Sequence, residues 1–208
     1  MAHFPDGIVS APLLVVDGVI AAAGVAWALR RIDDRAIPRV AVLSAVFFAG
    51  SLVAIPVGPS NVHLLLSGLM GIMLGVGVVP AVCVALLLQT MLFGIGGLTT
   101  LGVNTVNIAL PGLVVGLLAG PAVRRAASVA RASLLAGLGG AAAALATGAL
   151  VAFSLWVSSS DYVPVASVLM ATFVPLAIGE GAIAAVVVGF LRRVQPDALR
   201  PRLSAGAA

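Results

Sequence analysis

Residues 103–125 read VNTVNIALPGLVVGLLAGPAVRR, a long apolar run that ends in two arginines. About 20 mostly apolar residues are enough for a helix to cross the hydrocarbon core of a bilayer. The rest of the chain has the same character, since 62% of its 208 residues are hydrophobic and only 9% are charged. A soluble domain carries about a quarter charged residues. The sequence therefore predicts an integral membrane protein and excludes a water-soluble globular domain.

The same length criterion gives seven candidate membrane-spanning helices along the chain. They are Ile8–Leu29, Ile37–Val57, Val62–Val79, Pro80–Phe93, Val103–Val123, Ser133–Val157 and Val165–Leu191. The first run lacks the basic start of a signal peptide and is preceded by Asp6, so we expect it to be retained as a helix. We predict an all-α bundle of about seven transmembrane helices. Residues 1–194 form one membrane domain, and residues 195–208 form a short cytoplasmic tail.

The positive charges predict the orientation of this bundle. All eleven basic residues are arginines, and they fall in three segments, 30–39, 124–131 and 192–202. These segments follow the first, fifth and seventh candidate spans, so with seven spans they all lie on one side. The positive-inside rule makes that side cytoplasmic. We therefore expect an external N-terminus and a cytoplasmic C-terminus, and this topology explains the high pI without a nucleic-acid partner.

Two histidines, His3 and His63, are the only ones in the chain, and this orientation places both on the outer side. A terminal amine, the next backbone amide and a nearby imidazole can chelate metals such as Ni(II) and Cu(II) that favour square-planar nitrogen donors. Removal of Met1 leaves Ala2 and His3 with three nitrogens, and His63 can supply a fourth. Retention of Met1 gives the terminus four nitrogens and leaves His63 axial or unused. The processed form fits four donors better.

Small residues recur at a spacing of four along several predicted helices, where they allow backbones to approach closely in lipid. Such stripes either pack the bundle internally or dock onto another membrane subunit, and the sequence leaves both open. The stripes proposed for packing or coupling are Ala22 and Ala26 in the first span and Gly112, Gly116 and Gly120 in the fifth. Two carboxyl groups, Asp17 and Glu180, lie within spans, and for each a structural and a functional role are equally open.

Four ordered stretches resemble the CbiM/NikM family, the substrate-capture membrane subunits of energy-coupling-factor transporters for cobalt and nickel. They are HFPDG at 3–7, GPSNVHLLLSGLMGIMLG at 58–75, QTMLFGIGGLTTLGVNTVNIALPG at 89–112 and IGEG at 178–181. The resemblance runs from the first residues to about Arg193. The family usually begins Met-His, and this chain inserts Ala2, so loss of Met1 would restore the ligand register.

The resemblance implies a metal site made from the terminal amine of Ala2, the amide and imidazole of His3, and His63. It also implies that a glycine-rich loop caps or supports the site, through Gly94, Gly96, Gly97, Thr99, Gly102 and the nearby Asn104. Ile95 stands where the family often has an acidic residue, which changes the surroundings of the metal.

The resemblance further implies a transport subunit and not an enzyme. Its cargo is Co2+ or Ni2+, taken up for cobalamin biosynthesis or nickel enzymes, with no resident cofactor. Its implied partners are a membrane coupling subunit, two cytoplasmic ATPases and often a small accessory membrane protein, all at the inner cell membrane. The chain contains no Walker A sequence, in agreement with ATP hydrolysis by separate subunits.

Three other functions compete with metal capture. Capture of an organic vitamin by the same architecture needs an aromatic, apolar pocket, and aromatic residues make up only 5% of the chain. An intramembrane hydrolase needs a paired catalytic constellation such as HExxH, which the sequence lacks. A structural membrane partner without a ligand is the third alternative.

Overall fold

The computed structural model describes residues 3–52, 54–57 and 60–201. Within these residues the chain forms seven α-helices and one short hairpin. In chain order they are α1 (Ala11–Leu29), α2 (Ile37–Leu52), β1 (Ala54–Val57), β2 (Ser60–His63), α3 (Ser67–Leu74), α4 (Val78–Phe93), α5 (Leu101–Arg125), α6 (Val129–Ser158) and α7 (Val163–Val194). The two strands are antiparallel, with Ala54 opposite His63.

Six helical stretches in the described residues are long and apolar enough to cross a membrane. They are Ala11–Leu29, Asp34–Leu52, Ser67–Phe93, Leu101–Arg125, Val129–Ser158 and Ser160–Val194. The prediction of a predominantly helical, multi-pass membrane protein is confirmed. The stretch Ser67–Phe93 covers most of two predicted spans, so the count of seven crossings stays a prediction.

Two predicted spans differ from the helices that form. The second, 37–57, is helical only to Leu52, and its end becomes β1, where Pro56 lacks the N–H that a continuing helix would need. The third, 62–79, begins as β2, continues without regular structure over 64–66, and becomes helical only in α3. Eight residues of α-helix extend about 12 Å, so α3 alone is too short to cross a bilayer.

A tight turn at Gly75–Gly77 separates α3 from α4. A Cβ placed on Gly75 would lie 3.3 Å from the Pro201 ring, and one on Gly77 would lie 3.7 Å from Ile32. The turn therefore lies at the end of the bundle that holds the three arginine segments, which we call the arginine end. Helix α4 runs from this turn to the opposite end, where the Phe93 ring lies 5.8 Å from the ring of Phe48.

Glycines hold α3 against α5 in the interior. Gly112 and Gly116 are buried and face Gly71, and a Cβ on Gly112 would lie 2.5 Å from the Ser67 carbonyl oxygen. Gly120, also buried, lies beside the Arg124 side chain. The α5 stripe therefore packs the bundle internally. In contrast, Ala22 and Ala26 of α1 are exposed on the surface of the chain.

The described part of the predicted tail packs against the arginine end. Leu199 is 1% exposed and belongs to a core cluster with Val123 and Ile72. The Arg39 guanidinium donates to the carbonyl oxygens of Ala198 and Arg200, at 3.3 and 2.8 Å. Residues 195–201 are therefore held under the bundle, while residues 202–208 of the predicted tail lie outside the described residues.

Candidate metal centre

His3 and His63 meet in the interior, although 60 positions separate them in the sequence. Their ring centroids are 4.6 Å apart with an angle of 61° between the ring planes. His3 is 3% exposed and His63 is 9% exposed. Both ring nitrogens of His3, Nδ1 and Nε2, are buried without a hydrogen-bond partner among the described residues. Since an unsatisfied buried polar atom costs roughly 1–3 kcal/mol, these two nitrogens are candidate donors for a ligand.

His63 ends β2, and its backbone position is fixed by the pairing with Ala54. Its Nδ1 lies 3.2 Å from the carbonyl oxygen of Leu64. Because a carbonyl oxygen only accepts, the hydrogen in this bond belongs to Nδ1. The lone pair is then on Nε2, and a bond of this kind is the usual way in which a metal-binding histidine is oriented.

Burial keeps both imidazoles in the form that binds metals. Loss of solvation, together with the smaller effect of the neighbouring His63, lowers the pKa of His3 to about 3. Burial also lowers the pKa of His63 from its ordinary value. Desolvation disfavours the charged form of a base, so at neutral pH both rings are neutral. Neither has to lose a proton to coordinate a cation.

Asn104 fixes the residue next to His3. Its Oδ1 accepts from the Phe4 N–H at 2.8 Å, and its Nδ2 donates to the Phe4 carbonyl oxygen at 3.1 Å. The Thr100 hydroxyl donates to the same carbonyl oxygen at 2.6 Å. The Phe4 ring is buried in a cluster with Val103 and Val151. One side-chain amide from α5 therefore satisfies both backbone groups of Phe4 and fixes the direction of the leading segment.

Asp6 attaches the same segment to the loop between α4 and α5. Its Oδ1 accepts from the backbone N–H and the hydroxyl of Thr99, at 3.0 and 2.5 Å. The hydroxyl bond is the main reason that the pKa of Asp6 lies below its ordinary value. Gly97 touches Asp6 so closely that any Cβ there would collide with the carboxyl group. Gly96 has a φ of +86°, and a Cβ placed on it would lie 3.9 Å from the His3 Cβ.

The remaining predicted residues have different surroundings. Ala2 lies outside the described residues. Gly94 ends α4 in the left-handed conformation, and the Ile95 carbonyl accepts from the Thr90 hydroxyl. Gly102 packs against the backbone of α1 at Gly18, next to Asp17, and so brings α1 and α5 together.

Sequence reasoning did not single out the parts played by Phe4, Asp6 and Thr100. Asp6 belonged to the HFPDG motif, and that was the signal which could have found it. No group of three His, Cys, Asp or Glu side chains converges in the part of the chain that the structure describes. A cation held by the histidine pair therefore does not find a third imidazole, thiolate or carboxylate donor among the described residues.

Comparison with known proteins finds metal transport proteins among the relatives of this chain. A relative from Haemophilus influenzae, provisionally named as a metal transport protein, is 32% identical and covers 95% of this chain and 96% of its own length. The fused nickel transport protein NikMN of Rhodobacter capsulatus is 29% identical over 99% of this chain, which spans 66% of that protein. A crystal structure of a transition metal transporter has a TM-score of 0.71 at 24% identity, covering 92% of this chain and 93% of that one, which shows a shared fold.

The family model for the cobalt uptake substrate-specific transmembrane region, CbiM, matches residues 3–198. This match covers nearly the whole chain, including both histidines, the glycine-rich loop and Glu180. The motif resemblance found in the sequence is thus confirmed. The chain belongs to the CbiM family of cobalt uptake substrate-specific transmembrane proteins.

Proposed function

We propose that this chain captures a divalent cobalt or nickel ion between His3 and His63 for uptake across the membrane. The observation that supports the proposal most directly is the pair of buried, neutral imidazoles, one of which has no hydrogen-bond partner among the described residues. Co(II) and Ni(II) both accept imidazole nitrogen, so the site suits either ion.

The other donors in this proposal are backbone nitrogens at the start of the chain. Removal of Met1 frees the amine of Ala2, which forms chelate rings with the amide and imidazole of His3, and His63 completes the set. The clamp of Asn104 on Phe4 supports this arrangement because it fixes the backbone immediately after His3. Binding releases protons from the amine and the amide, so affinity decreases in acid.

We propose seven crossings with the histidines on the outer side. Hydrogen bonds join the three arginine segments at the other end, where Arg39 binds the carbonyl of Arg200 and Arg192 binds that of Arg124. The positive-inside rule assigns such an end to the cytoplasm. In this arrangement α3 and the non-helical residues before it form one descending crossing, and α4 forms the next ascending one.

Transport in this proposal needs other subunits. A membrane coupling protein and two cytoplasmic ATPases supply the driving force, and a small accessory membrane protein completes the complex at the inner membrane. The name of the fused NikMN relative is in agreement with a further component working beside this one. The exposed stripe of Ala22 and Ala26 on α1 is the proposed contact for the coupling protein.

Calorimetric titration of the purified full chain with Ni(II) and Co(II) tests metal capture. We expect His3→Ala and His63→Ala each to weaken binding at least about tenfold, which is the lower range found when groups around a metal are removed. Thr147→Val, a buried isosteric change on α6, is the matched control and should bind like the wild type. Undiminished affinity in His63→Ala would remove this residue from the site.

The role of the amine has its own test. Two residues added ahead of Ala2 move the amine away while both imidazoles stay in place, so we expect a large loss of Ni(II) affinity. Mass spectrometry of the unmodified protein checks that Met1 is absent. Equal affinity in the extended protein would exclude the amine as a donor.

A further inference from the structure

Glu180 is a buried carboxyl group in the middle of α7 that the metal chelate leaves without a role. It is 2% exposed. Its Oε1 accepts from the Leu65 N–H at 2.5 Å and from the Leu66 N–H at 2.9 Å, and its Oε2 also lies 2.9 Å from the Leu66 nitrogen. A side chain from α7 thus binds two backbone amides of the non-helical segment 64–66.

These two amides need a partner because both residues are buried, Leu65 just ahead of α3 and Leu66 at its N-cap. The first N–H groups of a helix have no acceptor within the helix. Leu66 is the N-cap of α3 and supplies no capping side chain. It also has a φ of +52°, the left-handed conformation that a leucine seldom adopts, and such a conformation persists only when its surroundings hold it. Glu180 provides both the missing acceptor and the restraint.

The held segment joins directly to His63. The Leu64 carbonyl oxygen accepts from His63 Nδ1, and the next two residues donate to Glu180. Three consecutive backbone units therefore connect the imidazole to the carboxylate. Removal of Glu180 would leave the amides of Leu65 and Leu66 without this acceptor. The backbone that orients the His63 ring and begins α3 would then be less firmly held.

Glu180 is itself fixed by the packing of α6 on α7. A Cβ on Gly140 would lie 2.9 Å from the Glu180 carbonyl oxygen, so the two backbones are in direct contact. Gly137, about one turn before Gly140 on α6, approaches Gly181, the residue after Glu180, in a similar way. The carboxylate therefore projects from a rigid two-helix unit.

We propose that Glu180 is the positioning residue for His63. It holds residues 64–66 so that the His63 imidazole meets His3, and it acts through the backbone without touching the ion. His3 has a separate support from α5, through Asn104 and Thr100. The two halves of the metal site thus depend on different helices. This inference rests on the proposed capture of Ni(II) or Co(II) by the histidine pair.

Glu180→Gln is the most informative variant because it keeps the size of the side chain. It replaces one acceptor oxygen with an amide group whose hydrogens face the Leu66 N–H, and it removes the negative charge. We expect Ni(II) affinity to decrease about 10- to 100-fold, the range for partners that orient metal ligands. The visible absorption of the bound Ni(II) should also change, since the donor geometry changes. Thr172→Val, also on α7 and buried, is the matched control and should change neither.

A double-mutant cycle separates positioning from a general loss of structure. Titrations of the wild type, Glu180→Gln, His63→Ala and the double variant give the coupling between the two sites. If Glu180 acts through His63, the Gln substitution should cost little when His63 is already alanine. An equal loss in both backgrounds, or wild-type affinity and absorption in Glu180→Gln, would overturn the inference and leave metal capture intact. Failure of the wild type to bind either metal would instead overturn the proposed function.

Thermal unfolding of each protein without metal is the control for folding. If Glu180→Gln does not fold, Glu180→Asp keeps a carboxylate with a shorter reach and goes through the same cycle. We expect Glu180→Asp to weaken Ni(II) binding, with the loss again dependent on His63. A loss independent of His63 would contradict the inference.

Discussion

Asn104→Ala tests whether the side-chain amide of α5 holds the leading segment in place. The substitution leaves the buried Phe4 N–H without an acceptor, because Oδ1 of Asn104 is its partner at 2.8 Å. The Phe4 carbonyl oxygen keeps its bond from the Thr100 hydroxyl at 2.6 Å. One orphaned buried donor costs roughly 1–3 kcal/mol, and we take about 2–3 kcal/mol because Asn104 is itself 2% exposed.

This cost reduces the free energy needed to open the leading segment. Each 1.4 kcal/mol changes the equilibrium between the closed and open segment tenfold. We therefore expect the backbone amide of Phe4 to exchange about 30- to 150-fold faster in Asn104→Ala. Hydrogen exchange read by mass spectrometry on the first ten residues measures this rate.

Thr100→Val is the matched control because it leaves the other bond to the same carbonyl oxygen, from Asn104 Nδ2, in place. We expect it to accelerate exchange far less, in line with about 1 kcal/mol for one hydrogen bond. Exchange of Phe4 at the wild-type rate in Asn104→Ala would refute the clamp. Equal acceleration in both variants would show that Asn104 contributes no more than Thr100 to holding the leading segment.

Three further predictions concern the same loop and the interior packing. Gly97→Ala should detach the leading segment, because the new methyl group collides with the Asp6 carboxyl, and it should raise exchange in residues 3–10. The contribution of Asp6 to docking of the leading segment should be constant at neutral pH and disappear as the pH falls below about 4, since a carboxyl whose pKa is lowered on folding stabilises only while it is ionised. Hydrogen exchange of the segment, measured against pH, should show this decline. Asp6→Asn should abolish the pH dependence. Gly112→Ala should lower stability by roughly 1–3 kcal/mol through overpacking against Ser67. Gly179→Ala, which has no neighbour within 4 Å, should not lower the unfolding temperature and should raise it slightly, because alanine is the better helix former.

Hydropathy was sufficient to predict the membrane bundle and most of its helices. The five helices α1, α4, α5, α6 and α7 all lie within a few residues of predicted spans, because an apolar run of this length has few other stable conformations in lipid. The break before α3 could not be found in this way. Leu64, Leu65 and Leu66 are equally apolar whether the backbone is helical or extended. The acceptor of the amides at the break is Glu180, which lies more than a hundred positions later in the chain.

The histidine pair could be expected from the sequence because donor chemistry and motif resemblance pointed to the same two residues. Its supports could not be predicted to the same degree. The bonds from Asn104 to Phe4 and from Thr99 to Asp6 join residues more than ninety positions apart, and no local pattern fixes such a pairing. The burial of the small residues could not be predicted from their spacing either. The α5 and α1 stripes have the same spacing, yet the α5 stripe is buried and the α1 stripe is exposed.

X-ray absorption at the nickel edge of the Ni(II)-loaded protein is the most direct test of capture between His3 and His63. Outer-shell scattering from imidazole rings reports how many histidines bind the ion, independently of affinity. We expect nitrogen donors with two imidazoles in the wild type and one imidazole in His63→Ala. A wild-type spectrum with a single imidazole, or one that His63→Ala leaves unchanged, would contradict the account.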